Sequence, residues 1–264
     1  MIRISPIPAF SNNYFWLIQP NIHSPQTLIV DPGDATPVLN TLESWGLELD
    51  AILVTHHHRD HIGGIDDLQH HYGNQLPVYG PFSQRIPSIN IPLKAGDGID
   101  LAGMHFDVIP TPGHTHEQIA YFFAGDALQP PSLFCGDALF AGGCGRRFEG
   151  TAEDMWASLE RLAALPEETL VYCAHEYTLD NLRFAVAIEP DNRELQQRLL
   201  TVEAQRAQGQ ITLPSFIGLE KRTNPFLRCH LRSIRDVVEN HFADTFETPA
   251  KVFGALRLMK DTWC

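Results

Sequence analysis

The sequence predicts an α/β sandwich followed by a small all-α domain. Strand-like and helix-like stretches alternate up to about residue 177, and helical periodicity alone continues from residue 178. Mixed strands and helices followed by helices alone indicate two domains of different class. The chain has 264 residues, of which 44% are hydrophobic, and this composition suffices for a full core. We therefore expect a mixed domain at 1–177 and a helical domain at 178–264.

Short apolar runs predict the strands of the mixed domain. Runs of about four to eight apolar residues bounded by turn residues are typical of buried strands. The predicted strands are 2–4, 14–18, 27–31, 51–55, 77–79, 106–109, 119–123, 132–135 and 170–173. All of them lie before residue 177, so the sheets are expected in the mixed domain.

Apolar residues at helical spacing predict the helices. The predicted helices are 37–45, 65–72, 152–165, 179–188, 193–208, 231–242 and 250–260, with an irregular segment at 210–224. The helix at 152 has a start signal in Thr151, because a threonine side chain can cap a helix whose first turn carries acids.

The stretch THHHRDHIGG, residues 55–64, places four histidines and one aspartate between positions 56 and 61. It follows the apolar run 51–54 and so leaves the carboxyl end of a strand, where open α/β folds place their sites. Neutral imidazole and carboxylate are ligands that Zn²⁺, Fe²⁺ and Mn²⁺ accept. The stretch therefore indicates a metal site, although a solvated loop remains an alternative for the stretch alone.

The spacing within this stretch divides its side chains between two faces. In an extended segment, side chains at i and i+2 share a face, so His56 and His58 can hold one ion while His57 points away. Asp60 and His61 lie past a bend and suit a second ion better. Further ligands are then needed downstream.

Three candidate ligands follow other apolar runs. They are His114 in TPGHT, Asp137 in CGD and His175 in HEYT. Each has a structural alternative when taken singly: a turn histidine, a capping aspartate and a buried, hydrogen-bonded ring. Their common position just past a strand favours metal ligands over these alternatives.

Charge and composition limit the partners. The chain has 19 Lys and Arg against 32 Asp and Glu, a formal net charge of −13, whereas nucleic-acid binders are typically basic. It contains no run of about 18 apolar residues, and MIRISPIPAF is not a signal peptide. The five cysteines are odd in number and form no CxxC pair, which fits a reducing compartment. We expect a cytoplasmic monomer with no nucleic-acid or membrane partner.

The motifs are similar to those of the metallo-β-lactamase superfamily and, within it, of glyoxalase II, the hydroxyacylglutathione hydrolases. HxHxDH followed by His, Asp and His at long spacings carries the first resemblance. The narrower one depends on GCGRRFEGT (143–151), HEYTLDNLRFA (175–185), NPFLR (224–228) and RLMK (257–260). The resemblance covers nearly the whole chain. It implies an αββα metallo-β-lactamase-like catalytic domain at 1–177 and a helical substrate-binding domain at 178–264.

The resemblance also implies a binuclear metal centre. Zinc is the expected metal, with iron or manganese as alternatives. The implied ligands are His56, His58 and His114 for the first ion, Asp60, His61 and His175 for the second, and Asp137 as the bridge. Asp60 and Asp137 would be catalytic together with a metal-bridging hydroxide that attacks an acyl carbonyl, since bound zinc brings the pKa of water to about 7.

The substrate implied by the resemblance is S-D-lactoylglutathione, hydrolysed to D-lactate and glutathione in the second step of methylglyoxal detoxification. A thiol with a pKa of about 8–9 leaves as thiolate with little general-acid help. The implied substrate-binding residues are Arg146, Arg147, Phe148, Tyr177, Arg257 and Lys260. Phe148 departs from the family, which often has tyrosine there, so one substrate hydrogen bond is not expected.

Other functions fit the sequence less well. A persulfide dioxygenase of the same fold with one iron is the main alternative, but that family lacks a long helical C-terminal domain. A nuclease or β-lactamase would leave HEYT and the pair Arg257 and Lys260 without a purpose. Cys144 is a weak candidate nucleophile because its segment offers no base, and His70 and His71 are expected at the surface.

Overall fold

The computed structural model describes residues 1–263 and divides into two compact units. One unit comprises Met1–Pro110 and Glu117–Gly136, and the other comprises Thr111–His116 and the chain from Asp137 onwards. Cys264 lies outside the described residues. The expected boundary between residues 177 and 178 is not a boundary between these units and stays a prediction. Among the helices of residues 1–263, none is long and apolar enough to cross a membrane.

The first unit contains ten strands and three helices. The strands are β1 (Arg3–Ala9), β2 (Asn13–Gln19), β3 (Gln26–Val30), β4 (Glu48–Leu53), β5 (Val78–Pro81), β6 (Ile91–Leu93), β7 (Gly98–Leu101), β8 (Met104–Pro110), β9 (Ile119–Phe123) and β10 (Ser132–Gly136). The helices are α1 (Ala35–Trp45), α2 (Arg59–Ile62) and α3 (Ile65–Tyr72). Strands β1 to β6 form one sheet in chain order, antiparallel as far as β3 and parallel from β3 to β6. Strands β7 to β10 pair antiparallel.

Apolar burial positions the end of β4, from which the histidine-rich stretch leaves. Val38 and Leu42 of α1 pack with Leu68 of α3 in the core cluster that also contains Ile52 of β4. Burying such a side chain contributes about 1.5–3 kcal/mol. Tyr121 of β9, which is also buried, donates its hydroxyl hydrogen to the Val54 carbonyl at 2.7 Å. The chain is therefore held from two sides just before the predicted ligands begin.

The second unit contains short strands and most of the helices. The strands are β11 (Leu139–Phe140), β12 (Gly143–Cys144), β13 (Leu170–Cys173) and β14 (Ser215–Phe216). The helices are α4 (Ala152–Ala163), α5 (Thr178–Ile188), α6 (Arg193–Ala207), α7 (Ile217–Thr223), the 3₁₀ turn Pro225–Leu227, α8 (Arg232–Phe242) and α9 (Pro249–Asp261). β11 and β12 form a hairpin, and β13 pairs antiparallel with β14. A buried aromatic cluster of Phe184, Phe226 and Phe253 joins α5, the 3₁₀ turn and α9.

The prediction that Thr151 caps a helix is confirmed. The prediction that segment 210–224 is irregular is wrong. Thr151 accepts the Asp154 N–H at 3.0 Å, and the Asp154 carboxylate accepts the Thr151 N–H at 2.9 Å. The Thr151 N–H and the Thr151 hydroxyl both donate to the Asp154 carboxylate and lower its pKa. Segment 210–224 contains β14 and α7, so the second half of the chain is not purely helical. A two-residue strand and a seven-residue helix are too short to show a clear period.

Candidate metal centre

In the first unit, the buried carboxylate of Asp31 organises two of the predicted histidine ligands. It accepts the Thr55 hydroxyl hydrogen at 2.6 Å and the His61 Nδ1–H at 3.0 Å. Because the only hydrogen of the Thr55 hydroxyl goes to Asp31, its oxygen accepts from His56 Nδ1 at 3.0 Å. The Nδ1–H groups of both rings are thereby engaged, which leaves Nε2 as the ligand nitrogen of each ring.

The predicted ligands of this unit lie close together. The His56 ring centroid is 4.7 Å from that of His58 and 4.0 Å from that of His61, and Nε2 of His56 is 3.1 Å from Nδ1 of His58. Asp60 accepts from the Asn13 side-chain amide at 2.9 Å on Oδ2, so one carboxylate oxygen is held in place. The sequence stretch thus becomes a compact set of nitrogen and oxygen donors.

His57 has surroundings of a different kind. Its Nε2 is 3.0 Å from an Arg85 nitrogen, and its Nδ1 is 3.4 Å from the Glu117 carboxylate. These contacts fit the expectation that His57 faces away from the ligand histidines. His70 and His71 are exposed, as expected for surface residues.

In the second unit, two predicted histidine ligands converge on a third predicted ligand, the Asp137 carboxylate. Oδ2 of Asp137 is 3.5 Å from Nε2 of His114, and Oδ1 is 3.3 Å from Nε2 of His175. All three residues are buried. The two oxygens of Asp137 therefore face different imidazoles.

Backbone and aromatic contacts orient the two histidines of this unit. His114 donates its Nδ1–H to the Arg146 carbonyl at 2.7 Å, so its Nε2 points towards Asp137. The His175 ring stacks on Tyr177, with centroids 4.7 Å apart and planes 4° from parallel. Phe140 meets both rings edge-on. His114 is thus oriented through its second ring nitrogen, and His175 through aromatic contacts with its ring.

A cleft of about 380 Å³ opens beside Asp137 in the second unit, and we call it the second-unit cleft. Its lining residues are His114, Asp137, Phe140, Cys144, Arg146, Phe148, Tyr177, Asp180, Asn181, Arg257 and Lys260. This volume is in the usual range for small-molecule sites. The cleft brings together five of the six predicted substrate-binding residues. Arg147 does not line it; one of its terminal nitrogens donates to the Gly150 carbonyl at 2.9 Å, and its role stays a prediction.

Two basic residues of α9 border the second-unit cleft in different environments. Arg257 is buried and donates to the Cys144 carbonyl at 3.1 Å. Lys260 is partly exposed and donates to the Asp180 carbonyl at 3.1 Å. Burial, followed by the nearby charge of Arg257, lowers the pKa of Lys260 from its usual 10.5. The cleft therefore has a positive end in a chain of net charge −13.

Cys144 lines the cleft as a protonated thiol. Burial raises its pKa to about 11, against the opposing effect of Arg257. A thiol with that pKa carries little thiolate at neutral pH. The structure therefore agrees with the expectation that Cys144 is not a nucleophile. The four cysteines among residues 1–263 form no disulfide with one another.

Sequence reasoning missed Asp31, which accepts from His61, and Asn13, which donates to Asp60. It also missed Asp261, which accepts from Arg146 and Arg257. Asp31 opens a DPGD stretch just past β3. That is the same strand-end position as the ligands, and it was the available signal. Asp31 also has a positive φ of 52°, which is uncommon for a residue other than glycine.

The donor sets fit divalent metal ions. Imidazole nitrogens with their opposite ring nitrogens engaged, together with carboxylate oxygens, are the ligands of zinc, iron and manganese sites. The donors of the first unit are His56, His58, Asp60 and His61, and those of the second unit are His114, Asp137 and His175.

Comparison with known proteins agrees with this fold. The sequence model of the metallo-beta-lactamase superfamily matches residues 10–175, and that of the hydroxyacylglutathione hydrolase C-terminus matches residues 176–263. Proteins named hydroxyacylglutathione hydrolase from Pseudomonas entomophila and Photobacterium profundum are each 51% identical, over the full length of both chains. The structure of TTHA1623 in a di-iron-bound form has a TM-score of 0.57 and 26% identity, covering 84% of this chain and all of that one.

Fold and donor set define the class first: a hydrolase with the metallo-β-lactamase fold and His/Asp clusters suited to divalent metal ions. Within that class, the full-length relatives and the C-terminal match identify one family. The chain belongs to the hydroxyacylglutathione hydrolase family. The expected fold class, a metallo-β-lactamase-like α/β fold with an appended C-terminal domain, is confirmed.

Proposed function

We propose that this protein hydrolyses S-D-lactoylglutathione to D-lactate and glutathione. The observation that carries the proposal is the second-unit cleft. It is lined by the predicted ligands His114 and Asp137 and also by Arg257 and Lys260. A reacting carbonyl near Asp137 and an anionic peptide near α9 can therefore occupy one cleft. Relatives about 50% identical over their whole length bear the name of this activity.

We infer one binuclear centre formed by the seven ligands that the resemblance implies. Imidazole and carboxylate groups are accepted ligands of such ions, and a carboxylate offers two oxygens. The di-iron form of TTHA1623 supports two ions in this fold. His56, His58 and His114 would hold one ion, Asp60, His61 and His175 the other, and Asp137 both. Zinc is our first choice, with iron and manganese accepted by the same ligands.

When bound, the ions would polarise the acyl carbonyl and make water nucleophilic near neutral pH. The residues of the chain orient the groups around the ions. Asp31 and the Arg146 carbonyl hold the ligand rings, and Tyr177 closes one side of the second-unit cleft. The leaving thiolate needs little protonation because its pKa is about 8–9.

Glutathione would be held by its charge and its peptide groups. It carries two carboxylates and one ammonium at neutral pH, so the cations at the α9 end of the cleft can bind a carboxylate. A charge-assisted hydrogen bond contributes about 1.5–3 kcal/mol. Phe148 is 59% exposed beside the cleft, and its ring offers apolar contact without a hydroxyl.

The persulfide dioxygenase alternative is not favoured. The C-terminal match spans residues 176–263, and the alternative gives this region no role. The two functions are separated by one assay. Purified protein loaded with zinc should release free thiol from S-D-lactoylglutathione without taking up oxygen, and should lose this activity after chelation. Oxygen uptake with glutathione persulfide, and no thiol release from the thioester, would reverse the ranking.

A control substrate tests the glutathione part of the proposal. A lactoyl thioester of a small thiol lacks the peptide carboxylates, so its kcat/KM should be lower while its scissile bond is the same. Equal kcat/KM on both substrates would contradict glutathione as the carrier but leave thioester hydrolysis standing.

A further inference from the structure

The hairpin Leu139–Cys144, hereafter the 139–144 hairpin, is held by side chains along its backbone. Asn224 donates to the Phe140 and Gly143 carbonyls at 3.2 and 2.8 Å. Asn181 donates to the Ala141 carbonyl at 3.2 Å. Glu220 accepts the Gly142 N–H at 2.8 Å. With the Arg257 contact to Cys144, backbone groups of five consecutive residues are each bonded to a side chain from the helical part of this unit.

Asn224 and Glu220 are the buried centre of these contacts. Both are 0% exposed, and Asn224 donates to Glu220 at 3.0 Å. The Asn224 amide has a fixed orientation because its oxygen accepts the Phe226 N–H at 3.1 Å. Asn224 begins the NPFLR motif, to which the proposed hydrolysis assigns no role.

Glu220 is surrounded by donors only. Oε1 accepts from Arg198 at 2.5 Å and from Ser215, and Oε2 accepts from Gly142 and Asn224. Arg198 is nearly buried beside it and neutralises the carboxylate. A carboxylate can satisfy all four donors at once. The network is thus complete only with a charged glutamate at this position.

The 139–144 hairpin lies between two parts of the candidate metal centre along the chain. It begins two residues after Asp137, and the Gly145 N–H donates to the Ala138 carbonyl at 3.2 Å. It ends two residues before Arg146, whose carbonyl holds His114. A displaced hairpin would therefore move both a ligand and the partner of another ligand.

We propose that Asn224 and Glu220 are positioning residues that fix the 139–144 hairpin and thereby set the metal affinity of the His114 and Asp137 ligands. Neither residue touches substrate or metal ligand in this role. The inference rests on the proposed metal-dependent function but concerns how the site is held together. Groups behind metal ligands typically change metal affinity by about 10- to 100-fold when removed.

The test compares Asn224→Ala with Asn192→Ala. Asn192 is a matched control, because its amide donates to the Arg222 carbonyl at 2.9 Å and accepts the Leu195 N–H without contacting the hairpin. Zinc affinity of the metal-free proteins is measured by competition with a coloured chelator, and the folded fraction by circular dichroism. Asn224→Ala should bind zinc about tenfold more weakly, while Asn192→Ala stays within about twofold of wild type.

A second pair decides the question if Asn224→Ala does not fold. Glu220→Gln keeps the volume but offers one acceptor oxygen to four donors, whereas Glu189→Gln changes an Arg228 pair away from the hairpin. Glu220→Gln should weaken zinc binding several-fold and Glu189→Gln should not. A folded Asn224→Ala or Glu220→Gln protein with wild-type zinc affinity would overturn the inference. Wild-type protein that binds zinc but cleaves no thioester would overturn the proposed function instead.

Discussion

The Arg257 guanidinium is paired with the Asp261 carboxylate one helical turn further along α9, with the nearest nitrogen and oxygen 3.0 Å apart. Asp261 also accepts from Arg146 at 3.2 Å. The arginine at the cleft is therefore held in position by its own helix and does not have to be ordered by an arriving ligand. Preorganisation of this kind reduces the entropy lost on binding.

Arg257→Ala should raise KM by about tenfold to a hundredfold on the glutathione thioester, since one charge-assisted contact is lost. Because Arg257 is buried and holds the Cys144 carbonyl, stability should also fall by about 1–3 kcal/mol. Steady-state kinetics and urea unfolding measure the two effects. Lys251→Ala, an exposed change on the same helix, is the control. An equal loss on a small thioester without the peptide would assign Arg257 to stability alone.

Lys260 should give KM a dependence on alkaline pH. Its pKa is lowered, first by burial and then by Arg257, so its charge is lost at lower pH than for an exposed lysine. The charged form exists below the pKa, and KM should therefore rise as the pH increases through it. KM is measured between about pH 7 and pH 10 with spontaneous hydrolysis subtracted. Lys260→Arg should flatten the rise, because arginine stays charged; an unchanged profile would exclude Lys260 as its source.

Asp137→Asn should lose metal and reduce turnover by about 100-fold or more. The amide keeps the volume but presents one acceptor oxygen where two face His114 and His175. Elemental analysis of the purified variant, beside its kcat, provides the measurement. Asp154→Asn alters a helix cap at the surface and should keep full metal content. Full metal and activity in Asp137→Asn would rule out the bridging role.

His57→Ala should keep its metal, in contrast to His56→Ala. The His57 ring contacts Arg85 and Glu117, so its removal should cost about 1 kcal/mol of stability at most. Metal content and thermal unfolding distinguish the two variants. Metal loss from a folded His57→Ala protein would show that the division of the stretch into two faces is wrong.

The candidate donors could be selected from the sequence because His56, His114, Asp137 and His175 each follow an apolar run. Their role as ligands stays a prediction. The sequence also places His61 near His56, since both lie in one short stretch. It could not predict that Asp31 accepts from both Thr55 and His61, because that contact depends on the register of β3 against β4. Local pattern carries no information on such pairing across about 25 residues.

The helical region was harder to predict for the same reason. Arg257 and Lys260 form a recognisable i, i+3 pair, but their different burial depends on packing around Phe226 and Phe184. The contact of Asn224 with the Gly143 carbonyl likewise joins residues 81 positions apart in the chain. Short elements such as α7 carry too few turns to show a period, so the sequence gives no sign of their partners.

Two hydrogen bonds tie His114 to main-chain atoms: its Nδ1–H bonds to the Arg146 carbonyl, and its own carbonyl accepts the Phe148 N–H at 3.3 Å. Any residue at position 146 supplies the carbonyl, and any residue except proline at position 148 supplies the N–H. The side chains at 146 and 148 can therefore change while His114 keeps these two hydrogen bonds, although a change at 148 removes the edge-on contact of the Phe148 ring with the imidazole. Substrate preference can therefore change in evolution while these main-chain hydrogen bonds of the metal centre are kept. The side chains at the rim of the cleft are correspondingly suitable positions for directed selection for new acyl groups.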